Sequence, residues 1–170
     1  MGRNWSFCGY NEKDKNIEPF PYKHIDELVA DLRPQDKEDL EAACGNAYVA
    51  ILHSIELSEI VIIIKDDTGK CMSLLGLGSR DNCTLGRYIW SVSTNEIEKG
   101  YVRPVLINFA REVIGDWANR YELLQNLVYA KNTKSIRYME KILGAKFLRE
   151  SLTIDGKEWK QFYILGKEGK

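Results

Sequence analysis

The chain is short of the residues that hold metals or carry nucleophilic chemistry. Only two histidines, His24 and His53, and four cysteines, Cys8, Cys44, Cys71 and Cys83, are spread over 170 residues, and no cysteine pair has C-x-x-C spacing. A structural zinc site needs closely spaced thiolate or imidazole ligands, so no metal is expected. The cysteines read as reduced thiols, with Cys44 and Cys71 inside packed elements. An excess of either charge is also missing. The 24 Lys plus Arg against 25 Asp plus Glu give a formal net charge of -1, which offers no global field to nucleic acid or an anionic membrane. The longest aliphatic run, Ile60 to Ile64, is far too short to span a bilayer. The first residues lack the apolar core of a signal peptide. Gly2 with Ser6 fits the loose Met-Gly-x-x-x-Ser/Thr acylation pattern, which is short enough to arise by chance. Internal repeats are absent.

What is present is the composition of a folded chain: 44% hydrophobic and 29% charged, at a length suited to one domain. Residues 1–23 read as an extended arm. Trp5, Phe7, Tyr10, Phe20 and Tyr22 alternate there with a charged run, Asn11 to Asn16, and with Pro19 and Pro21, which discourage regular structure. Rings in such an arm are expected to pack on a protein surface. Residues 24–170 form the remaining domain.

Within that domain Leu28 to Leu32 reads as a first short strand. Pro34 suits a first helical turn, and Asp36 to Cys44 is a polar helix stopped by Gly45. Asn46 caps a second helix whose Tyr48, Ile51, Leu52 and Ile55 recur at helical spacing. Three strands follow: Ile60 to Lys65, Cys71 to Leu77 and Arg87 to Val92, the last two separated by a loop with Asp81 and Asn82. A long helix carries Phe109, Val113, Trp117 and Tyr121 as one apolar stripe. Leu127 to Ala130 is a strand, Asn132 caps a helix that Gly144 ends, and a terminal hairpin turns at Asp155 to Glu158. The crossover through the long helix makes the Arg87 and Leu127 strands parallel neighbours. Trp90, Phe109, Val113, Trp117, Val128, Ile136 and Phe147 are expected in one core.

The fold class is therefore α/β (α+β), a mixed central sheet with helices on both faces in the order β-α-α-β-β-β-α-β-α-β-β. That order is the one of the GNAT acyltransferases, and the sequence resembles them at two places. Asp31-Leu32-Arg33-Pro34-Gln35-Asp36 is similar to their opening apolar-Arg-x-x-Asp pattern, and Asn132 to Phe147 to their closing strand-helix-strand with apolar-Gly-x-x-Phe. Trp90 to Phe147 resembles more narrowly a family that includes internal virion protein A of short-tailed phages. The shared features are Ile89-Trp90-Ser91-Val92-Ser93-Thr94, Arg120-Tyr121, Asn126-Leu127-Val128, Asn132, Ile136-Arg137 and Gly144-Ala145-Lys146-Phe147. This resemblance implies a phage protein of the host cytoplasm or the virion. It implies a protein partner from phage or host, acting in virion assembly or infection, while the balanced charge argues against nucleic acid.

The GNAT resemblance implies acetyl-CoA as cofactor, its pyrophosphate held by backbone N–H groups where the long helix begins. The superfamily pattern after the strand-ending valine asks for Arg or Gln at the fifth position, Gly at the eighth and Gly or Ala at the tenth. Counted from Val92 these are Ile97, Gly100 and Val102, so Gly100 alone fits, and Glu96 and Glu98 add negative charge. Val92, Gly100 and Asn132 are the cofactor-binding candidates. The general acid, a tyrosine seven residues after the asparagine, falls on Met139, with Tyr138 adjacent. Tyr138 is the catalytic candidate for acid, and Glu59, with His53 and Glu56 near it, for base. The plainer readings, which the residues favour, are an ordinary loop glycine for Gly100, a packing residue for Tyr138 and a helix cap for Asn132. Three functions follow: a binding protein with a degenerate acyl-CoA site, an acetyl-CoA-dependent N-acetyltransferase acting on a host protein or small amine, or an enzyme that keeps the fold and uses another acyl donor.

Overall fold

A computed structural model describes residues 6–11, 20–79, 85–100 and 102–167. The elements are β1 (Ser6–Asn11), α1 (Lys23–Ala30), α2 (Pro34–Cys44), α3 (Ala47–Glu56), β2 (Ser58–Lys65), β3 (Cys71–Gly78), β4 (Arg87–Ser93), a 3-10 turn (Asn95–Glu98), α4 (Arg103–Tyr121), β5 (Leu123–Tyr129), α5 (Thr133–Ile142), β6 (Lys146–Ile154) and β7 (Lys157–Leu165). Hydrogen-bonded neighbours run β1-β2-β3-β4-β5-β7-β6. The β4 and β5 strands pair in parallel, and β1 with β2, β2 with β3, β5 with β7 and β6 with β7 pair antiparallel. This is the mixed sheet of an α/β chain. The chain divides into two compact units, residues 1–79 with 89–99 and residues 80–88 with 100–170, so β4 contributes to both.

In the first unit local chemistry sets the helices. Pro34, with φ fixed near its helical value, opens α2, and Gly45 closes it in the left-handed region at φ 73°. Asn46 caps α3, its side chain accepting from Val49 N–H at 3.1 Å. Ile51 and Ile55 of α3 join Ile25 and Leu28 of α1 over Val61, Ile63, Leu74 and Val92 of the sheet. Each such side chain contributes about 1.5–3 kcal/mol on burial. The β2–β3 turn closes on Asp66, whose Oδ1 accepts from Thr68 N–H at 2.9 Å and Lys70 N–H at 3.0 Å.

The first strand is not where the sequence suggested. Residues 28–30 complete helix α1, because His24, Ile25 and Leu28 fall on one helical face and are all fully buried. A five-residue window starting at Leu28 cannot show that periodicity. Leu32 alone keeps strand character, as an isolated antiparallel bridge to Thr94. The opening strand lies instead in the aromatic arm, where β1 pairs with Ile60–Lys65 of β2. Phe20 is buried in the first unit's core and meets Tyr22 edge-on at 6.0 Å. Trp5, the charged run beyond Asn11, Pro19, the loop at Asp81 and Asn82, and Cys83 lie outside the described residues. Cys44, expected in a packed position, is exposed on the last turn of α2, whereas Cys71 is buried.

In the second unit β4 and β5 pair at Arg87↔Leu124 and Tyr88↔Gln125, as the crossover required. Gly86 precedes this pairing at φ 76°, and a Cβ there would fall 2.4 Å from Leu123 O. The apolar face of α4 is Ile114, Trp117 and Ala118, all buried. Phe109, Val113 and Tyr121 are only partly buried. A strict four-residue step drifts about 40° per turn on a helix of 3.6 residues, so the expected stripe winds off the core. In the second unit Val128 is buried whereas Ile136 and Phe147 are only partly buried, and in the first unit Trp90 is partly buried against the core. The terminal hairpin forms where expected but turns more tightly: Asp155 (φ 49°) and Gly156 (φ 72°) make a two-residue turn, and Lys157 and Glu158 already belong to β7.

Candidate functional site

Three residues of spacing bring Arg33 and Asp36 together on the turn that opens α2. Asp36 Oδ1 accepts from Arg33 Nη2 at 2.8 Å, and Oδ2 accepts from Nη2 at 2.9 Å and Nε at 3.1 Å. The Asp36 carboxylate is buried and holds a further donor, Ser93 N–H, at 2.8 Å. Arg33 N–H in turn donates to Ser93 O at 3.1 Å. Both backbone groups of Ser93, the last residue of β4, are thus taken up by residues 33–36. Burial pushes the Asp36 carboxyl above its ordinary value, while the Arg33 guanidinium and the Ser93 N–H pull it back.

The polar cluster continues behind the strand end. Ser73 Oγ donates to Val92 O at 3.0 Å and exchanges a hydrogen bond with Ser93 Oγ at 2.8 Å. Thr94 N–H donates to Met72 O at 2.8 Å, and Asn95 N–H to Asp31 O at 3.0 Å. The Asn95 side chain also donates to Asp31 Oδ1 at 3.2 Å. Glu98, at the end of the 3-10 turn, accepts from Arg33 Nη1 and from Gln35 Nε2, each at 3.4 Å. The sequence marked Arg33 and Asp36 as a motif and Ser93-Thr94 as a hydroxyl segment. It did not join them, since 57 residues separate Asp36 from Ser93. The available signal was Ser73, a hydroxyl inside an otherwise apolar buried strand.

The sequence candidates divide between the units. In the first, Val92 is buried in the β4 wall of the core, and its carbonyl accepts from Ser73. Glu59 is the second residue of β2 and partly exposed, so it sits in the sheet rather than beyond the helix. His53 and Glu56 are exposed on α3. Strand β3 lies between β2 and β4, which separates Glu59 from Val92.

In the second unit Gly100 is exposed, without positive φ, and a Cβ there would meet nothing within 4 Å. Helix α4 starts at Arg103 with Pro104 in its first turn and no side-chain cap. Proline has no N–H, so one of the donors that an N-terminus offers an anion is removed. Asn132 is buried and caps α5, its side chain accepting from Ser135 N–H at 3.2 Å. Tyr138 is partly exposed on the same helix, which runs unbroken over Thr133–Ile142. Tyr138 and Met139 therefore point about 100° apart. Among the described residues no group of His, Cys, Asp or Glu could hold a metal ion, and no helix is long and apolar enough to cross a membrane.

No family model matches the sequence, and no curated protein does. Solved structures do match. Spermidine N-acetyltransferase from Vibrio cholerae, in complex with CoA and spermine, superposes with a TM-score of 0.62 at 14% identity, over 94% of this chain and 95% of that one. Aminoglycoside N(6')acetyltransferase from Legionella pneumophila gives 0.63 at 9% identity, over 97% and 94%. The fold is that of the GNAT acetyltransferases. At these identities the likeness is one of fold.

Proposed function

We propose that this GNAT-fold chain binds a protein partner and carries a degenerate acyl-CoA site. The observation that carries this reading is the state of Ser93. Its N–H and C=O at the end of β4 are both engaged by Asp36 and Arg33. A strand end so engaged has no backbone group left there for a ligand chain. Glu96 and Glu98 follow it and hold the nearby cations Lys99 and Arg33, which a pyrophosphate would have to win from them. Pro104 removes a helix donor, and the open surroundings of Gly100 give no packing reason for a glycine at that position. Met139 stands at the position of the expected acid and has no proton to give.

The partner and setting rest on the sequence resemblance of Trp90 to Phe147 to the internal virion protein A family of short-tailed phages. On that basis the partner is a phage virion or host protein met during virion assembly or infection, in the host cytoplasm or the virion. Isothermal titration with acetyl-CoA and with CoA tests the reading. No heat is expected, and micromolar binding overturns it.

A second reading is favoured by Tyr138, a partly exposed phenol one residue from the acid position, on a fold whose Vibrio cholerae neighbour holds CoA and spermine. Here the chain is an acetyl-CoA-dependent N-acetyltransferase for a host protein or small amine, with Glu59 as base, Tyr138 as acid and Val92, Gly100 and Asn132 at the cofactor. Thiol release from acetyl-CoA over peptides and polyamines, lost in Tyr138→Phe, selects this reading over the first.

A further inference from the structure

We infer that Arg33 and Gln35 form an oxyanion-binding site that the chain's own Glu98 occupies and guards. Arg33 is not a free surface side chain. Its Nε and Nη2 edge is locked on the buried Asp36 carboxylate by three hydrogen bonds of 2.8–3.1 Å. That lock fixes the guanidinium plane and presents Nη1 on the other side, so little side-chain entropy is lost when Nη1 takes a partner. Gln35 Nε2, two residues on, converges on the same point. Both donors reach one oxygen, Glu98 Oε1, at 3.4 Å each. These contacts are longer than the 2.7–2.9 Å usual for a charge-assisted hydrogen bond.

Glu98 is also 40% exposed, against 17% for Arg33. An exposed ion pair of this kind is held weakly. A rigid cation edge and a convergent amide donor therefore face a half-exposed carboxylate that they hold at long distance, at the end of a short turn. An incoming carboxylate or phosphate oxygen can take the same two donors once Glu98 swings out. The chemistry recognised is an oxyanion, and an acidic side chain of a partner protein and a free phosphate both supply one. This inference does not depend on whether acyl-CoA binds, since no atom of the proposed cofactor loop is used except the Glu98 side chain.

The test removes the guard. Inorganic pyrophosphate and a tetra-glutamate peptide are titrated separately into the full chain, and the Arg33 side-chain NMR signals are followed. Glu98→Gln is expected to bind at least one probe about two- to fivefold tighter than wild type, the range an exposed ion pair can withhold. The probe with the larger gain identifies the source of the oxyanion. Glu96→Gln removes the same charge from the same turn, where Glu96 pairs with Lys99 and not with Arg33. It should leave both affinities unchanged, and adding Gln35→Ala to Glu98→Gln should cancel the gain. Equal gain from Glu96→Gln, or no gain for either probe in Glu98→Gln, overturns the inference. Silence towards CoA with a Glu98→Gln gain for the probes leaves the binding-protein reading standing. Binding of CoA without that gain removes both.

Discussion

The indole of Trp90 lies where a side chain on Gly76 would be. A Cβ built on Gly76 would fall 2.1 Å from Trp90 Nε1 and 2.2 Å from its Cε2. The ring thus rests across β3 and donates from Nε1 to Ser58 Oγ of β2 at 2.8 Å, and Ser58 Oγ donates on to Ser54 O of α3 at 2.7 Å.

Gly76→Ala should therefore displace the indole and break this relay, costing about 1–3 kcal/mol as an overpacking change. Denaturant titration measures it. In a Trp90→Ala background the same substitution should cost much less, because the two residues share one space. Equal costs in both backgrounds would place the strain elsewhere.

Asp36→Asn should cost about 2–3 kcal/mol in the same titration, since it takes from the Arg33 guanidinium its buried charged partner and leaves it the half-exposed Glu98. The amide hydrogen exchange of Ser93 should rise with it, because Asp36 is the acceptor of that N–H. A neutral effect on both would mean that the cluster fills space without holding the strand end.

Acid stability should depend on Glu27. Partial burial raises its carboxyl, but hydrogen bonds from Cys71 N–H at 2.9 Å and His24 Nδ1 at 2.7 Å outweigh this and leave it below the usual glutamate range. A lowered value in the folded state means that the unfolded chain binds the proton first. The contribution is complete above the ordinary glutamate value and is lost as pH falls through the lowered one. Glu27→Gln should flatten the acid limb of a plot of urea midpoint against pH. Asp36 works in the opposite sense, since its raised carboxyl loses stability as pH rises, so the difference between wild type and Glu27→Gln isolates Glu27. An unchanged acid limb would count against the His24–Glu27–Cys71 link.

Thiol labelling should separate two cysteines. Burial pushes the Cys71 thiol up to about 12, whereas Cys44 is exposed. In a Cys8→Ser, Cys83→Ser chain at neutral pH a maleimide should modify one site promptly, Cys44, and reach Cys71 only after unfolding. Prompt labelling of both would show that β3 opens readily.

Elements defined by local chemistry were legible in the sequence. Pro34 and Gly45 bounded α2, Asn46 and Asn132 announced α3 and α5, and Asp155-Gly156 fixed the terminal hairpin. The parallel β4–β5 pairing was expected from the long helix that crosses between the two strands. Two kinds of feature were hidden. Helix α1 is not legible because its buried face depends on His24, a residue that propensity treats as polar, whereas here its Nδ1 bonds Glu27 and its ring is fully buried. The Arg33–Asp36–Ser93 cluster was half visible: the spacing showed the ion pair, but its partner strand end became known only when the fold brought it near. Glu59 shows the same limit, since a carboxylate just past a helix looks solvent-borne until it proves to be the second residue of β2.

The Asp155-Gly156 turn bears on the order in which the second unit assembles. Ile154↔Lys157 and Thr153↔Glu158 are neighbours along the chain, so β6 and β7 can zip together with almost no loop to close. Pairing of β5 with β7 joins Tyr129 to Trp159 and closes a loop of about thirty residues that contains α5. A hairpin forms within about 1–10 μs. The hairpin is therefore expected to form before the two longer closures of this unit, β5 on β7 and β5 on β4, the latter joining Tyr88 to Gln125.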